Sequence, residues 1–384
     1  MTVVDVEESV RDRYAAGAAA REEDLCCPTD YDPRYLTAIP AEVLERDYGC
    51  GDPSRHLREG ETVLDLGSGT GKICFIAAQV VGPTGKVIGV DMTAEMLDVA
   101  RRNAPLVAES IGYNNVEFRR GRIQDLALDL ARFDEELGAT PANSYDGLLA
   151  AERRAAHLRL TEPLVESASV DVVVSNCVLN LVDRDSREQL FSEIHRVLRR
   201  GGRAVISDIV SDEEVPVEMQ HDEELWSGCI SGAFTESGFV EAFEEAGFYG
   251  IRMVERQAEP WRTVRGIEFR SVTLEAYKGK EGPCLERNQA VIYRGPFREV
   301  VDDEGHRLRR GTRHAVCDKA FQIYGRAPYA EHFDRVAPRT DVPLEDAPPF
   351  DCDRTALRDA RETKGIAYDL TSEATTCCEP GDSC

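Results

Sequence analysis

Apolar and polar positions along this chain change their rhythm twice. From Val3 to Ala20 the apolar residues recur at helical spacing, which predicts a helix within an N-terminal extension over 1–40. A loop follows, with Cys26, Cys27, Pro28 and Pro33. From Thr62 onward, short apolar runs alternate with amphipathic stretches. Thr62–Leu66, Lys86–Val90, Val116–Arg119, Val170–Ser175 and Ala204–Ile209 have the length and composition of strands. Between and after them, Ile73–Val81, Thr93–Ala108, Arg187–Leu198 and Thr235–Ala246 read as helices. Thr93 is placed to cap the second, with Met96, Leu97 and Ala100 on one face, and Gly201-Gly202 stops the third. Val170–Ser175 is almost continuous valine, as expected of a central parallel strand covered on both faces. Alternating strands and helices predict an α/β protein with a parallel, doubly wound sheet over 41–280. Tyr249–Val254 and Glu268–Tyr277 would complete that sheet as a reversed edge pair.

Two stretches break the alternation. Residues 126–169 form a charged, helix-prone insertion with no evident chemistry. After Gly282 the pattern changes to short β runs, among them Ala290–Pro296 and the segment following Asp302, which predict a small C-terminal α+β domain over 281–337. Residues 338–384 are rich in Pro, Asp and Thr and end in Cys377, Cys378 and Cys384, the composition of a mobile tail.

Charge narrows the function. With 46 Lys+Arg against 71 Asp+Glu the net charge is −25. So acidic a chain is a poor partner for nucleic acid or for anionic membrane surfaces, both of which need a basic footprint. No apolar run reaches the ~20 residues of a membrane span, and the first thirty residues lack the apolar core of an export signal. A cytoplasmic location is therefore expected. There, 12 cysteines read as thiols, ligands or redox groups rather than as a disulfide framework, and none is spaced as a zinc CxxC pair.

The most specific local signal is Val63-Leu64-Asp65-Leu66-Gly67-Ser68-Gly69-Thr70-Gly71, set between a predicted strand and a predicted helix. Glycines at alternate positions let the backbone turn tightly against a ligand, and the helix start beyond them offers free N–H groups. A dinucleotide fold would carry Gly-x-Gly-x-x-Gly. The Gly-x-Gly-x-Gly spacing after an acidic residue resembles the first motif of class I methyltransferases, whose Rossmann-like fold binds S-adenosylmethionine. On that resemblance Asp65, Gly67, Ser68, Gly69 and Gly71 face the cofactor. Asp91, which ends the next strand, would accept the ribose hydroxyls beside Met92. Ile123 and Gln124 would lie against the adenine with Asp125 at its edge, and Asn176 would close the site.

Three cysteines stand where a methyl acceptor belongs. Cys177 follows the fourth strand, and ligands of open α/β sheets sit beyond the carboxyl ends of the strands. Cys229 lies in Gly228-Cys-Ile-Ser-Gly232 after the fifth strand, and Cys50 lies between Gly49 and Gly51 just before the first. Cys74 reads as a packing residue, and Cys284, Cys317 and Cys352 as structural or without role.

Tyr48–Gly51, Gly89–Thr93, Ser175–Leu181 and Gly228–Ala233 together resemble the arsenite methyltransferase family, a likeness that runs over about residues 20–330. The resemblance implies that Cys50, Cys177 and Cys229 bind As(III). It also implies an N-terminal cysteine paired with the Cys50 position in a redox step, which Cys26 and Cys27 both fit. The substrate would then be arsenite as a thiol conjugate, with glutathione or thioredoxin as reductant. No general acid or base is needed, because no proton leaves arsenic. A methyltransferase for an organic acceptor, with the cysteines only packing, is the alternative; it calls for a pocket base such as His221.

Overall fold

Val63, Leu64 and Leu66 have no exposed surface. That is the burial of a strand covered on both faces, and it sets the architecture. The structure, a computed structural model, describes residues 6–19, 22, 29–46, 48–139, 141–352, 357–365 and 368–372. It divides into two units, Met1–Gly279 and Lys280–Cys384.

In the first unit three helices, α1 (Val6–Ala19), α2 (Pro33–Leu36) and α3 (Ala41–Glu45), precede the sheet. Then β1 (Thr62–Leu66), α4 (Lys72–Val81), β2 (Lys86–Asp91), α5 (Ala94–Ile111) and β3 (Val116–Arg120) alternate as the sequence predicts. The insertion forms α6 (Leu130–Ala139) and α7 (Tyr145–Thr161). It is followed by β4 (Val170–Asn176), α8 (Arg187–Val197) and β5 (Leu198–Ser211). Short helices α9 (Val217–Gln220) and α10 (Glu223–Ser227) lead to β6 (Phe234–Thr235) and α11 (Glu236–Glu245). The unit closes with β7 (Tyr249–Arg256), β8 (Arg262–Val264) and β9 (Ile267–Tyr277).

The main strands lie in the order β3-β2-β1-β4-β5-β9-β7, with β6 on β5 and β8 on β9. β1 pairs parallel with both β2 and β4, so Leu66 stands beside Val90 and Ser175. The last two strands form the expected antiparallel pair at the edge of the sheet. β9 inserts antiparallel between β5 and β7, so β7 runs with the parallel strands and β9 alone is reversed. A short connection between neighbouring strands permits only an antiparallel pairing, and the link from β7 to β9 is of that kind.

Alternate residues of each strand feed two cores. Leu64, Leu66, Phe191, Phe239 and Phe243 fill one face. Val63, Val87, Val172 and Val205 pack with Phe75 and Ile76 of α4 on the other.

The second unit carries β10 (Ala290–Tyr293), β11 (Glu299–Val301), β12 (Arg307–Arg309), β13 (Arg313–Ala315), α12 (Asp318–Ile323), β14 (Phe333–Val336) and α13 (Ala360–Lys364). β10 is the centre of a three-stranded antiparallel sheet between β13 and β14, while β11 and β12 form the hairpin. The stretch after 338, expected to be mobile, is tied down where it is described. Phe350 joins the core of this unit, and the buried Arg358 guanidinium meets Glu286 at 2.7 Å. The sequence reading missed this because a single buried aromatic and one buried arginine leave no periodic trace.

Candidate active site

The carboxyl ends of β1, β2 and β4 open onto a cavity of about 570 Å³. Asp65, Gly67, Ser68 and Gly69 line it from the first loop, and Asp91 and Met92 from the second. Ile123 and Gln124 reach it from the turn after β3, and Asn176 and Cys177 from the end of β4. Gly71 lies one step back. It caps α4 at φ 93°, a left-handed value, and a Cβ there would stand 2.8 Å from the Phe118 ring. Glycine is needed at that point on both counts.

The two loops are fastened to each other. The Asp91 carboxylate accepts the Gly69 N–H at 2.9 Å and the Thr93 N–H at 2.8 Å. Burial pushes this carboxyl above the ordinary aspartate value, against those two bonds. The Ser68 hydroxyl is buried with no partner among the described residues. An unpartnered hydroxyl beside a glycine turn and two carboxylates fits a polar ligand with hydroxyl and amine groups, as S-adenosylmethionine has. Asp125 is not in the lining. Arg159 of α7 holds its carboxylate at 2.8 Å, which ties the insertion to the turn after β3.

Beside this cavity lie the three cysteines, in one buried cluster with Trp226, Met219 and Phe269. Cys177 and Cys229 both adopt left-handed backbone, at φ 65° and 61°. That conformation is costly for a residue with a side chain, and such strain concentrates at functional sites. The Cys229 thiol lies 3.4 Å from the Cys177 carbonyl oxygen. The sulfurs of Cys50 and Cys177 and a carboxylate oxygen of Asp208 all lie within 4.8 Å of one another.

Local sequence explains how the three loops come so close. Asn176 makes four hydrogen bonds, three of them to the Cys50 loop. Its oxygen accepts from Cys50 N at 2.8 Å and Gly51 N at 3.0 Å, and its amide donates to the Gly51 carbonyl and to Tyr31 Oη. Those four bonds use the full capacity of the side chain, so in this structure Asn176 acts on the cysteine loop. A Cβ on Gly49 would fall 2.2 Å from that amide, and one on Gly51 2.6 Å from Ser207 Oγ. Gly232 is bound as tightly, since a Cβ would meet the Asn180 carbonyl oxygen at 1.9 Å. The buried Arg187 stacks over Phe234 at 4.1 Å and donates to the Gly232 carbonyl, so the far end of the Cys229 loop is pinned.

Two groups escaped the sequence reading. Asp208, fully buried in β5, accepts from Leu179 N at 2.9 Å, Ile209 N at 2.8 Å and Asn180 Nδ2 at 2.7 Å. Burial nevertheless raises its carboxyl from 3.8 to about 7. Tyr14 of α1 lines the cavity and hydrogen-bonds Cys229; burial and the neighbouring thiols push its phenol well above the ordinary value. Arg13 fastens α1 to α10 through Ser227 Oγ at 2.9 Å and the Glu224 carbonyl at 3.0 Å. Cys74 faces away into the core. Burial, then the adjacent Asp65, raise its thiol far above the usual range, as suits a packing residue. Cys26 and Cys27 lie outside the described residues.

Similarity to known proteins follows the same residues. A methyltransferase-domain family matches residues 57–139 and 142–247, and a domain family of unknown function matches 280–368. An arsenite methyltransferase of Aquipseudomonas alcaligenes is 34% identical over 85% of this chain and 90% of its own length. The chain belongs to the arsenite methyltransferase family. A second member, from Halobacterium salinarum, is also 34% identical, over 71% of this chain and 67% of its own. Among solved structures, an arsenic(III) S-adenosylmethionine methyltransferase from Chlamydomonas reinhardtii is 27% identical, with a TM-score of 0.55 over 85% of this chain and 100% of that one. The family fold is thus a class I S-adenosylmethionine-dependent methyltransferase sheet, with a second unit after residue 279. Among the described residues, no helix is long and apolar enough to cross a membrane.

Proposed function

We propose that this chain transfers methyl groups from S-adenosylmethionine to trivalent arsenic held by Cys50, Cys177 and Cys229. The observation that carries the reading is the double membership of Cys177. It lines the cavity of the glycine loop and Asp91, and it sits in one buried cluster with the other two cysteines.

Asp65, Gly67, Ser68 and Gly69 would receive the amino-acid end of the cofactor, Asp91 its ribose, and Ile123 with Gln124 its adenine. When bound, S-adenosylmethionine supplies an electrophilic methyl group on sulfur. The thiolates hold As(III) with its lone pair turned toward that methyl. Soft sulfur ligands suit so soft an acceptor. Rate enhancement comes mainly from holding the two reacting centres at short range and in line. Asn176, Arg187 and the glycines act as positioning groups, because they fix the three loops that carry the sulfurs.

Transfer of the methyl raises the oxidation state of arsenic by two. The two electrons return when a free thiolate attacks one arsenic-bound sulfur and that pair leaves as a disulfide, which a thiol such as glutathione or thioredoxin reopens. Cys26 or Cys27 would share that redox step with Cys50. The base named for an organic acceptor, His221, is exposed and absent from the cavity lining.

The deciding experiment incubates the purified chain with S-adenosylmethionine, arsenite and glutathione and separates the arsenic species. Methylated arsenic is the expected product. Its absence, with cofactor binding intact, would overturn the reading.

A further inference from the structure

A second thiol cluster lies in the other unit, its first member 55 residues along the chain beyond Cys229. The sulfurs of Cys284, Cys317 and Cys352 all lie within 4.8 Å of one another. Cys317 is 1% exposed and the other two are half-buried. The three come from separate segments that the backbone locks together. Phe350 N donates to the Cys284 carbonyl at 2.8 Å, and Asp318 N to the Leu285 carbonyl at 2.9 Å. The Cys352 carbonyl is held by His306 Nε2 at 2.9 Å. A small cavity of about 20 Å³ opens on Cys317 and Cys352.

We propose that Cys284, Cys317 and Cys352 form a second As(III) site, one that binds without methylating. The naming of arsenic rests on the methyltransferase reading above; the three-sulfur geometry does not. Three ligands suit a trivalent ion whose lone pair fills the fourth direction, whereas structural zinc takes four. Among the described residues no histidine joins the trio as a fourth ligand. His306 spends Nδ1 on Asp302 at 2.8 Å and Nε2 on Cys352, and His314 Nε2 accepts the Arg309 N–H at 2.9 Å. Binding needs no oxidant or reductant. Three As–O bonds of arsenous acid are replaced by three As–S bonds, and the three thiol protons leave in three waters. The lining of the cavity at this cluster includes none of the cofactor-motif residues.

The test uses the full chain with Cys26, Cys27, Cys50, Cys177, Cys229, Cys377, Cys378 and Cys384 changed to Ser, so that the cluster and the core residue Cys74 remain. After arsenite with excess glutathione and desalting, arsenic per chain is measured by mass spectrometry and its neighbours by X-ray absorption. One arsenic with three sulfur neighbours is expected, falling to none in Cys284→Ser or Cys317→Ser added to that background. Cys317 caps α12 by accepting the Ala320 N–H, a bond that serine also makes, so Cys317→Ser keeps the fold. As a second measurement, Cys284→Ser/Cys352→Ser in the otherwise natural chain should lower arsenic stoichiometry by one. No arsenic retained by the folded background, retention unchanged by the added substitutions, a disulfide within the trio under glutathione, or zinc or copper bound there in its place would each overturn the proposal. Failure of the natural chain to methylate arsenite would sink the methyltransferase reading while leaving bound arsenic in the cluster to be counted.

Discussion

Cys177 is held at a left-handed φ by the sheet itself, since its N–H donates to the Ser207 carbonyl of β5 at 2.8 Å. Serine keeps that backbone and nearly the same volume but loses the soft ligand. Cys177→Ser and Cys229→Ser should therefore each abolish arsenite methylation while calorimetry still shows S-adenosylmethionine binding; full activity in either would refute the thiol site. Asn176→Ala strips the partners from Cys50 N and Gly51 N in a buried place, which costs about 1–3 kcal/mol. Activity should fall with stability, and denaturant unfolding beside the assay would measure both. Asp208 gives a pH signature. Its carboxyl lies at about 7 in the folded chain against 3.8 ordinarily, so between those values the folded state binds more protons than the unfolded one. Its contribution to stability is present in acid and is lost as pH rises through about 7. In Asp208→Asn that loss should disappear from a series of melts at stepped pH, and an unchanged profile would place the titration elsewhere.

Among the elements, the strands of the parallel sheet were legible from their apolar runs, because central strands covered on both faces need continuous valine, leucine and isoleucine. β5 is longer than its apolar run, since Leu198–Arg203 extend it through arginines and glycines that carry no strand pattern. The edge pair was placed, but the insertion of β9 between β5 and β7 was not legible, for pairing partners distant in sequence leave no local mark. The cysteine loops were readable from their glycines, but not Asp208, which looks like any polar residue in a strand, nor Tyr14, which is brought in by a helix 36 residues before Cys50. At this scale the tightest joint is Gly232 against the Asn180 carbonyl. Gly232→Ala must push the Cys229 loop outward, with an overpacking cost of about 1–3 kcal/mol. We expect methylation to drop far more than cofactor affinity; equal losses in both would mean that the loop serves the cofactor instead.

For the whole molecule, the division at Gly279 separates every residue assigned to cofactor or methyl acceptor from the second unit. Residues 1–279 expressed alone should fold and bind S-adenosylmethionine with the affinity of the full chain, as titration calorimetry would test. A large loss of affinity would show that the second unit supports the site. The cluster of Cys284, Cys317 and Cys352 was invisible in the sequence for the reason β9 was, as its members are separated by more than 30 residues each.

The three cysteines of the first site sit on three independent stretches: a loop before the sheet, the tip of β4 and a loop beyond β5. A guest gripped by three such teeth escapes only when all have let go, and each tooth that opens is held near the guest and closes again at high effective concentration. At the proposed site residence would therefore be long while three sulfurs grip, although each sulfur exchanges quickly. In the proposed reaction each methyl gained takes the place of one sulfur, so the grip would slacken as the product forms and turnover would carry its own release.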